Sequence, residues 1–167
     1  MKKITIACAT FLCMMLHAQV AIGKSSITNP STLLEFGLEP KGIILPSVDD
    51  APGATGGTFI VNINDRAVQY HDGTNWINLT NTGESVANPY VNTQIADKAT
   101  DHGVIIGDNT SSKPGVLVLE STTKAMILPK VSNPQSTIKS PVTGTIVYDT
   151  NSDSLAVCDG QNWFFWQ

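Results

Sequence analysis

The chain has 167 residues, 41% of them hydrophobic, with ten Lys and Arg against fourteen Asp and Glu and a formal net charge of −4. That length and apolar content suit one or two small folded units and argue against a wholly disordered chain. The acidic balance argues against nucleic acid as a partner, because phosphate has to be neutralised by clustered Lys and Arg.

The first element is MKKITIACATFLCMMLHAQ. Lys2 and Lys3 make a positive n-region, Ile4 to Leu16 is an uncharged run of 13 residues, and Ala18 is a small residue before Gln19. This is the pattern of a secretory signal peptide over residues 1–18, and the run is too short to span a bilayer as a helix. The expected mature chain begins at Gln19 and is exported, to the periplasm, the outer-membrane surface or the medium. Removing Lys2 and Lys3 from the ten basic residues leaves eight against fourteen acidic ones, a net of −6. Cys8 and Cys13 would leave with the signal, so Cys158 stands alone and no intrachain disulfide is expected. No second apolar run reaches spanning length, so no transmembrane helix is expected.

From Val20 onward the chain writes one pattern twice. VAIG (20–23), LLE (33–35), KGIILPSV (41–48), GTFIVNIND (57–65) and DGTNW (72–76) come first. VIIG (104–107), VLE (118–120), KAMILPKV (124–131), GTIVYDTNS (144–152) and DGQNW (159–163) follow in the same order. The offset is 84 at the start, 83 at the KxxILP segment and 87 from Gly57 to Trp76. Constant order at nearly constant spacing points to an internal duplication. It gives unit one over residues 19–80, a polar linker over 81–103 and unit two over 104–167. The linker carries Pro89 and two Gly, and the one element it would admit is a short helix over Val91–Lys98.

Within unit one the candidate strands are short and rich in β-branched residues: Gly42–Leu45, Thr58–Ile63, Ala67–His71 and Trp76–Leu79. Asp-Gly accepts the positive backbone dihedrals that tight turns need, so DGxNW reads as a hairpin turn followed by the first residue of the returning strand. Phe59, Val61 and Ile63 alternate with polar neighbours, Val68 and Tyr70 continue that apolar face, and Trp76 is expected to cap it. The counterparts in unit two are Ile146, Tyr148, Leu155, Val157 and Trp163. The fold class is therefore mainly β: two tandem repeats of short antiparallel hairpins and meanders, with few helices. Asp72, Gly73 and Trp76, with Asp159, Gly160 and Trp163, are the expected turn and core anchors. A unit of this size is marginal alone, so the units are expected to pack on each other, on further copies or on another protein.

The residues that could carry chemistry fail to assemble a site. Asp149, Asn151 and Asp153 alternate as in a calcium loop, but such a loop needs Gly sixth and Glu twelfth, where this chain has Ser154 and Gly160. His71 corresponds to Cys158 in the other unit, and His102 lies in the linker. No spaced His and Cys ligand set or nucleophile motif accompanies them. GATGG (53–57) lacks the Lys-Ser or Lys-Thr of a phosphate-binding loop. No catalytic residue, metal or cofactor is expected. The C-terminal WFFW is the unusual feature. Neighbouring strand residues face opposite sides, so if Trp163 and Phe165 face inward, Phe164 and Trp166 face elsewhere, and they are the candidate partner contacts.

The set VxIG, LE, KxxILP and GTIVYDTNSDSLxVxDGxNWxxW resembles a group of secreted or cell-surface β-repeat proteins of Bacteroidota. The resemblance spans nearly all of the chain beyond the signal, apart from the linker. It implies a β-rich exported protein, in some cases likened to fibre or adhesin stalk modules, and it carries no catalytic residue. This sequence departs from the group at Ala21 and Ile105 and shows no additional C-terminal sorting domain, which weakens the expectation of covalent surface attachment. The function expected is thus a non-catalytic structural or protein-interaction component of the cell envelope or surface. Its partner would be itself as an oligomer, or another envelope or surface protein. The alternative is a carbohydrate-binding module, with glycan as ligand, in which Trp76 and Trp163 stack on sugar rings.

Overall fold

Short β-branched runs cut by Asx and Gly turns leave no room for long elements, and none forms. The computed structural model describes residues 19–82, 103–113 and 115–167. The expected signal peptide, the Val91–Lys98 segment, His102 and most of the linker lie outside the described residues. In chain order the first strands are β1 (Val20–Ile22), β2 (Thr32–Phe36), β3 (Ile43–Ile44), β4 (Ser47–Val48), β5 (Phe59–Asn62), β6 (Ala67–His71) and β7 (Trp76–Asn78). They are followed by β8 (Val104–Ile106), β9 (Leu117–Leu119), β10 (Ala125–Ile127), β11 (Lys130–Val131), β12 (Thr145–Asp149), β13 (Ser154–Cys158) and β14 (Trp163–Trp166). One short helix, α1 (Pro134–Thr137), separates β11 from β12. The fold is mainly β, in stacked short strands.

Each unit contains the expected meander. In unit one β5, β6 and β7 run antiparallel, with Phe59 opposite Tyr70, Asn62 opposite Ala67 and His71 opposite Trp76. In unit two β12, β13 and β14 pair Ile146 with Val157, Asp149 with Ser154 and Cys158 with Trp163. Adding 87 to each unit-one position reproduces the unit-two register. A parallel strand flanks each meander: β4 lies along β5, and β11 along β12. Between that flanking strand and the meander the sequence offset grows from 83 to 87. The added residues fall where α1, four residues long, interrupts the connection.

Upstream of the meanders the pairing is parallel, which antiparallel hairpins alone do not provide. β1 lies parallel to β2 and β8 parallel to β9. Val20 stands opposite Leu34, and Val104 opposite Leu117. The LLE and VLE echo would have set Leu119 there, so the second pair has slipped by two residues. A two-residue slip keeps every side chain on its own face of the sheet.

The units are also interleaved. β10 of unit two lies parallel against β2 of unit one, and β3 of unit one lies antiparallel against β12 of unit two. One apolar cluster accordingly draws on both: Val61, Val68 and Leu79 from unit one with Ile146 and Val157 from unit two. Ile43, Leu45, Phe59, Tyr70, Leu128 and Leu155 close around it. The two units share a core. A smaller cluster on the other face of the unit-two meander joins Val131, Val147 and Ala156, with Ile138 after α1 and Trp163 packed on it.

Candidate functional site

The two DGxNW segments build the same turn. Asp72 Oδ1 accepts the backbone N–H groups of Thr74 and Asn75, both at 2.7 Å. Asp159 Oδ1 accepts those of Gln161 at 2.8 Å and Asn162 at 2.6 Å. Each Asp N–H in turn donates to the Asn carbonyl, at 3.0 Å in unit one and 3.1 Å in unit two. Gly73 and Gly160 take φ of 106° and 93°, the left-handed side of backbone space that glycine enters without a Cβ penalty. The residue before each Asp contributes as well. His71 Nδ1 accepts from Gly73 N–H at 3.1 Å, and Cys158 Sγ accepts from Gly160 N–H at 3.2 Å. A His and a Cys that share no acid–base chemistry thus share a structural role as hydrogen-bond acceptors. The bonds from Asn75 and Thr74 hold the Asp72 carboxyl below its ordinary range. Burial pushes the Cys158 thiol up, so this free, buried cysteine is a poor nucleophile.

The tryptophans follow each turn as the first residue of the returning strand, but not on the face assigned to them above. Trp76 pairs with His71, and its ring meets the imidazole edge-on at 4.9 Å between centroids. Trp163 packs with Val147 and Ala156, the side of the meander away from Ile146 and Val157. The shared core takes the alternate residues instead. A turn that joins two antiparallel strands fixes cross-strand partners, so Trp76 must lie on the side of His71 and Trp163 on the side of Cys158. Both rings are half-buried.

In the last strand the alternation sets Phe164 opposite Val157 and Trp166 opposite Leu155, on the face of the shared core, while Phe165 stands opposite Ala156. Trp166 Nε1 donates to the Leu79 carbonyl at 3.0 Å. That bond joins the C-terminal strand of unit two to the end of unit one. An intermolecular contact was expected of Phe164 and Trp166; the polar end of Trp166 is bonded inside the chain. Phe165 and Trp166 remain 43% and 45% exposed on β14, whose outer edge has no partner strand among the described residues.

The polar groups that looked like ligands serve turns. Asp149, 1% exposed, accepts at Oδ1 from Asn133 and Asn151 N–H, each at 3.0 Å, and at Oδ2 from Ser152 Oγ at 2.7 Å. Burial alone would raise its carboxyl, but these hydrogen bonds outweigh it and hold the group low. Asp153 binds the Tyr148 hydroxyl at 3.1 Å and adopts a φ of 51°, as its counterpart Arg66 does at 53°. No group of three or more His, Cys, Asp or Glu that could hold a metal ion occurs among the described residues. Sequence reasoning missed a half-buried ion pair: Lys24 Nζ meets Glu35 Oε1 at 2.6 Å, and Thr28 donates to both Glu35 oxygens through its N–H and hydroxyl. Lys24 and then Thr28 hold Glu35 at a pKa of about 2. Nothing in the local pattern joins Lys24 to Glu35, since they meet only because β1 and β2 pair.

Residues 105–167 match the family model of a phage tail like trimerisation region. No curated protein and no solved structure matches the chain. The trimerisation-region match starts at the second residue of β8 and runs through β14, so it covers unit two. Stacked β architecture and a trimerisation-region match point together to a structural, self-associating protein. No helix among the described residues is long and apolar enough to cross a membrane.

Proposed function

We propose that the protein is an exported, non-catalytic structural component of the cell envelope or surface, and that it assembles as a homotrimer in which unit two takes part in every contact. The observation that carries this reading is the match of residues 105–167 to a phage tail like trimerisation region. The β14 edge, unpaired among the described residues, with its exposed Phe165 and Trp166, and the exposed Val104, Val116 and Leu117, fit it physically. Apolar side chains on open strand edges favour association. The hydrogen-bond geometry supports the non-catalytic part: Asp72, Asp149, Asp159, His71 and Cys158 are all engaged in turns. The resemblance to secreted Bacteroidota β-repeat proteins and the n-region and apolar run of residues 1–18 motivate the exported location. The sugar-binding reading has less behind it, since Trp76 lies against His71 and Trp163 against Val147 and Ala156.

Light scattering coupled to size exclusion tests the assembly: a mass three times that of the monomer is expected, and a monomer at all concentrations would overturn it. Intact mass of protein recovered from the envelope fraction tests export. A chain beginning at or near Gln19 is expected, and recovery only of a Met1 form from the cytoplasm would overturn it.

A further inference from the structure

The contact between the two units is directional. β3 and β10 are the same segment in two settings, Ile43–Ile44 corresponding to Met126–Ile127 at the offset of 83. β10 lies against β2, a strand of the unit before it. β3 lies against β12, a strand of the unit after it. A strand of this type therefore has two neighbours to meet, the β2-type strand of the preceding unit and the first meander strand of the following one. Among the described residues each of the two strands finds only one of them: β3 pairs with no β2-type strand, and β10 with no meander strand. β9, the counterpart of β2, carries β8 on one edge and no strand on the other among the described residues, whereas β2 is flanked by β1 and β10.

Exposure follows these vacancies. Ile44 is 56% exposed, while its counterpart Ile127, seated against β2, is half-buried. Leu117 is 44% exposed, while Leu34, at the same place in the parallel pair, is fully buried. Unit one and unit two each display, among the described residues, the uncovered half of a contact that their junction has completed.

We propose that a second copy of this chain completes it. The partner's β3 segment lies along the open edge of β9, as β10 lies along β2, and β10 lies along the beginning of the partner's β5, as β3 lies along β12. The contact is heterologous, joining the unit-one end of one copy to the unit-two end of the next. Such contacts build closed rings when the rotation per copy closes, and fibres when it does not. A ring of three copies is the closure that the proposed trimer demands. The proposal rests on that self-association and names the surface that makes it.

Two charge substitutions on exposed residues of the full chain provide the test. Ile44→Asp blocks one end of the contact and Leu117→Asp the other. Each variant alone should run as a monomer by light scattering, with the far-UV circular dichroism of the parent. An equimolar mixture should form a dimer and stop there, because each variant keeps the end that the other has lost. If the single variants still run as trimers, or the mixture stays monomeric, the proposed contact is wrong while self-association stands. If the parent itself is monomeric, the assembly reading fails first. Should either Asp variant lose its β signal, Ile44→Ser and Leu117→Ser apply the same test with a milder change, and trimers from both would overturn the proposal.

Discussion

Asp72 and Asp159 occupy one turn geometry in two environments. Asp159 is 1% exposed, and its Oδ1 satisfies two backbone N–H groups beside the Thr143 hydroxyl bond to its own carbonyl. Asp72 makes the same pair of bonds in an exposed loop. Removing an acceptor from a partly buried bond costs more than removing it from one in the open. Asp159→Ala should therefore lower unfolding free energy by about 1–3 kcal/mol, and Asp72→Ala by less, as read from urea unfolding midpoints. Glu35 gives a second residue-scale expectation, in pH. Its folded pKa, about 2, is depressed from an ordinary 4.5. A depressed carboxylate stabilises the fold fully above its unfolded pKa and loses that contribution as pH falls through the folded one. Melting temperature should thus drop between pH 4.5 and pH 2. Glu35→Gln should flatten that drop without making it level, because Asp72 and Asp149 are also held low. An unchanged slope in the variant would show that the Lys24–Glu35 pair contributes nothing.

At the scale of elements, the connection into each meander shows how one inherited piece diverged. Gly57 and Gly144 both stand at the entry to their meanders with φ of 89° and 84°. A Cβ at Gly57 would have no atom within 4 Å, whereas at Gly144 it would run into Val61 Cγ2 of unit one. Gly57→Ala therefore measures backbone strain alone, about 1 kcal/mol, and Gly144→Ala should cost roughly 2–4 kcal/mol from strain plus overpacking. Equal melting shifts for the two would mean that the units do not approach each other there. The four residues added in unit two form α1 and bring Ile138 onto the Val131, Val147 and Ala156 cluster. The change of offset from 83 to 87 was visible in the sequence; that it marks a helical insertion was not, because PQST has no amphipathic period to announce a helix.

For the molecule as a whole, one core built from two units makes them a single cooperative body. Val61, Val68 and Leu79 bury against Ile146 and Val157, and Trp166 bonds Leu79 across the seam. Trp166→Phe keeps an aromatic ring and deletes the donor, so it should cost about 0.5–1.5 kcal/mol. A single unfolding transition, seen alike by tryptophan fluorescence and circular dichroism, is expected in the parent and the variant. Two separated transitions in the parent would show that the units fold independently.

Turn chemistry, strand periodicity and the duplication were local, and the sequence determined them by itself. Asp-Gly and Asx residues choose their own backbone geometry from side-chain bonds two or three positions away, so the meanders and both DGxNW turns could be read directly. The β-rich class followed from the same short runs. The tertiary structure alone decided which strands meet across long separations. The β2–β10 and β3–β12 pairings depend on how two nearly identical units lie against each other. Residues repeated in both units cannot say from sequence which copy they will join. The face of each tryptophan was decided at the same level: cross-strand register, set by where the turn closes, turned Trp76 toward His71 and Trp163 toward Ala156. The edges left open among the described residues, at β9, β3 and β14, appear only after the other strands have found their partners, because an unpaired edge is a property of the finished sheet and not of any segment within it.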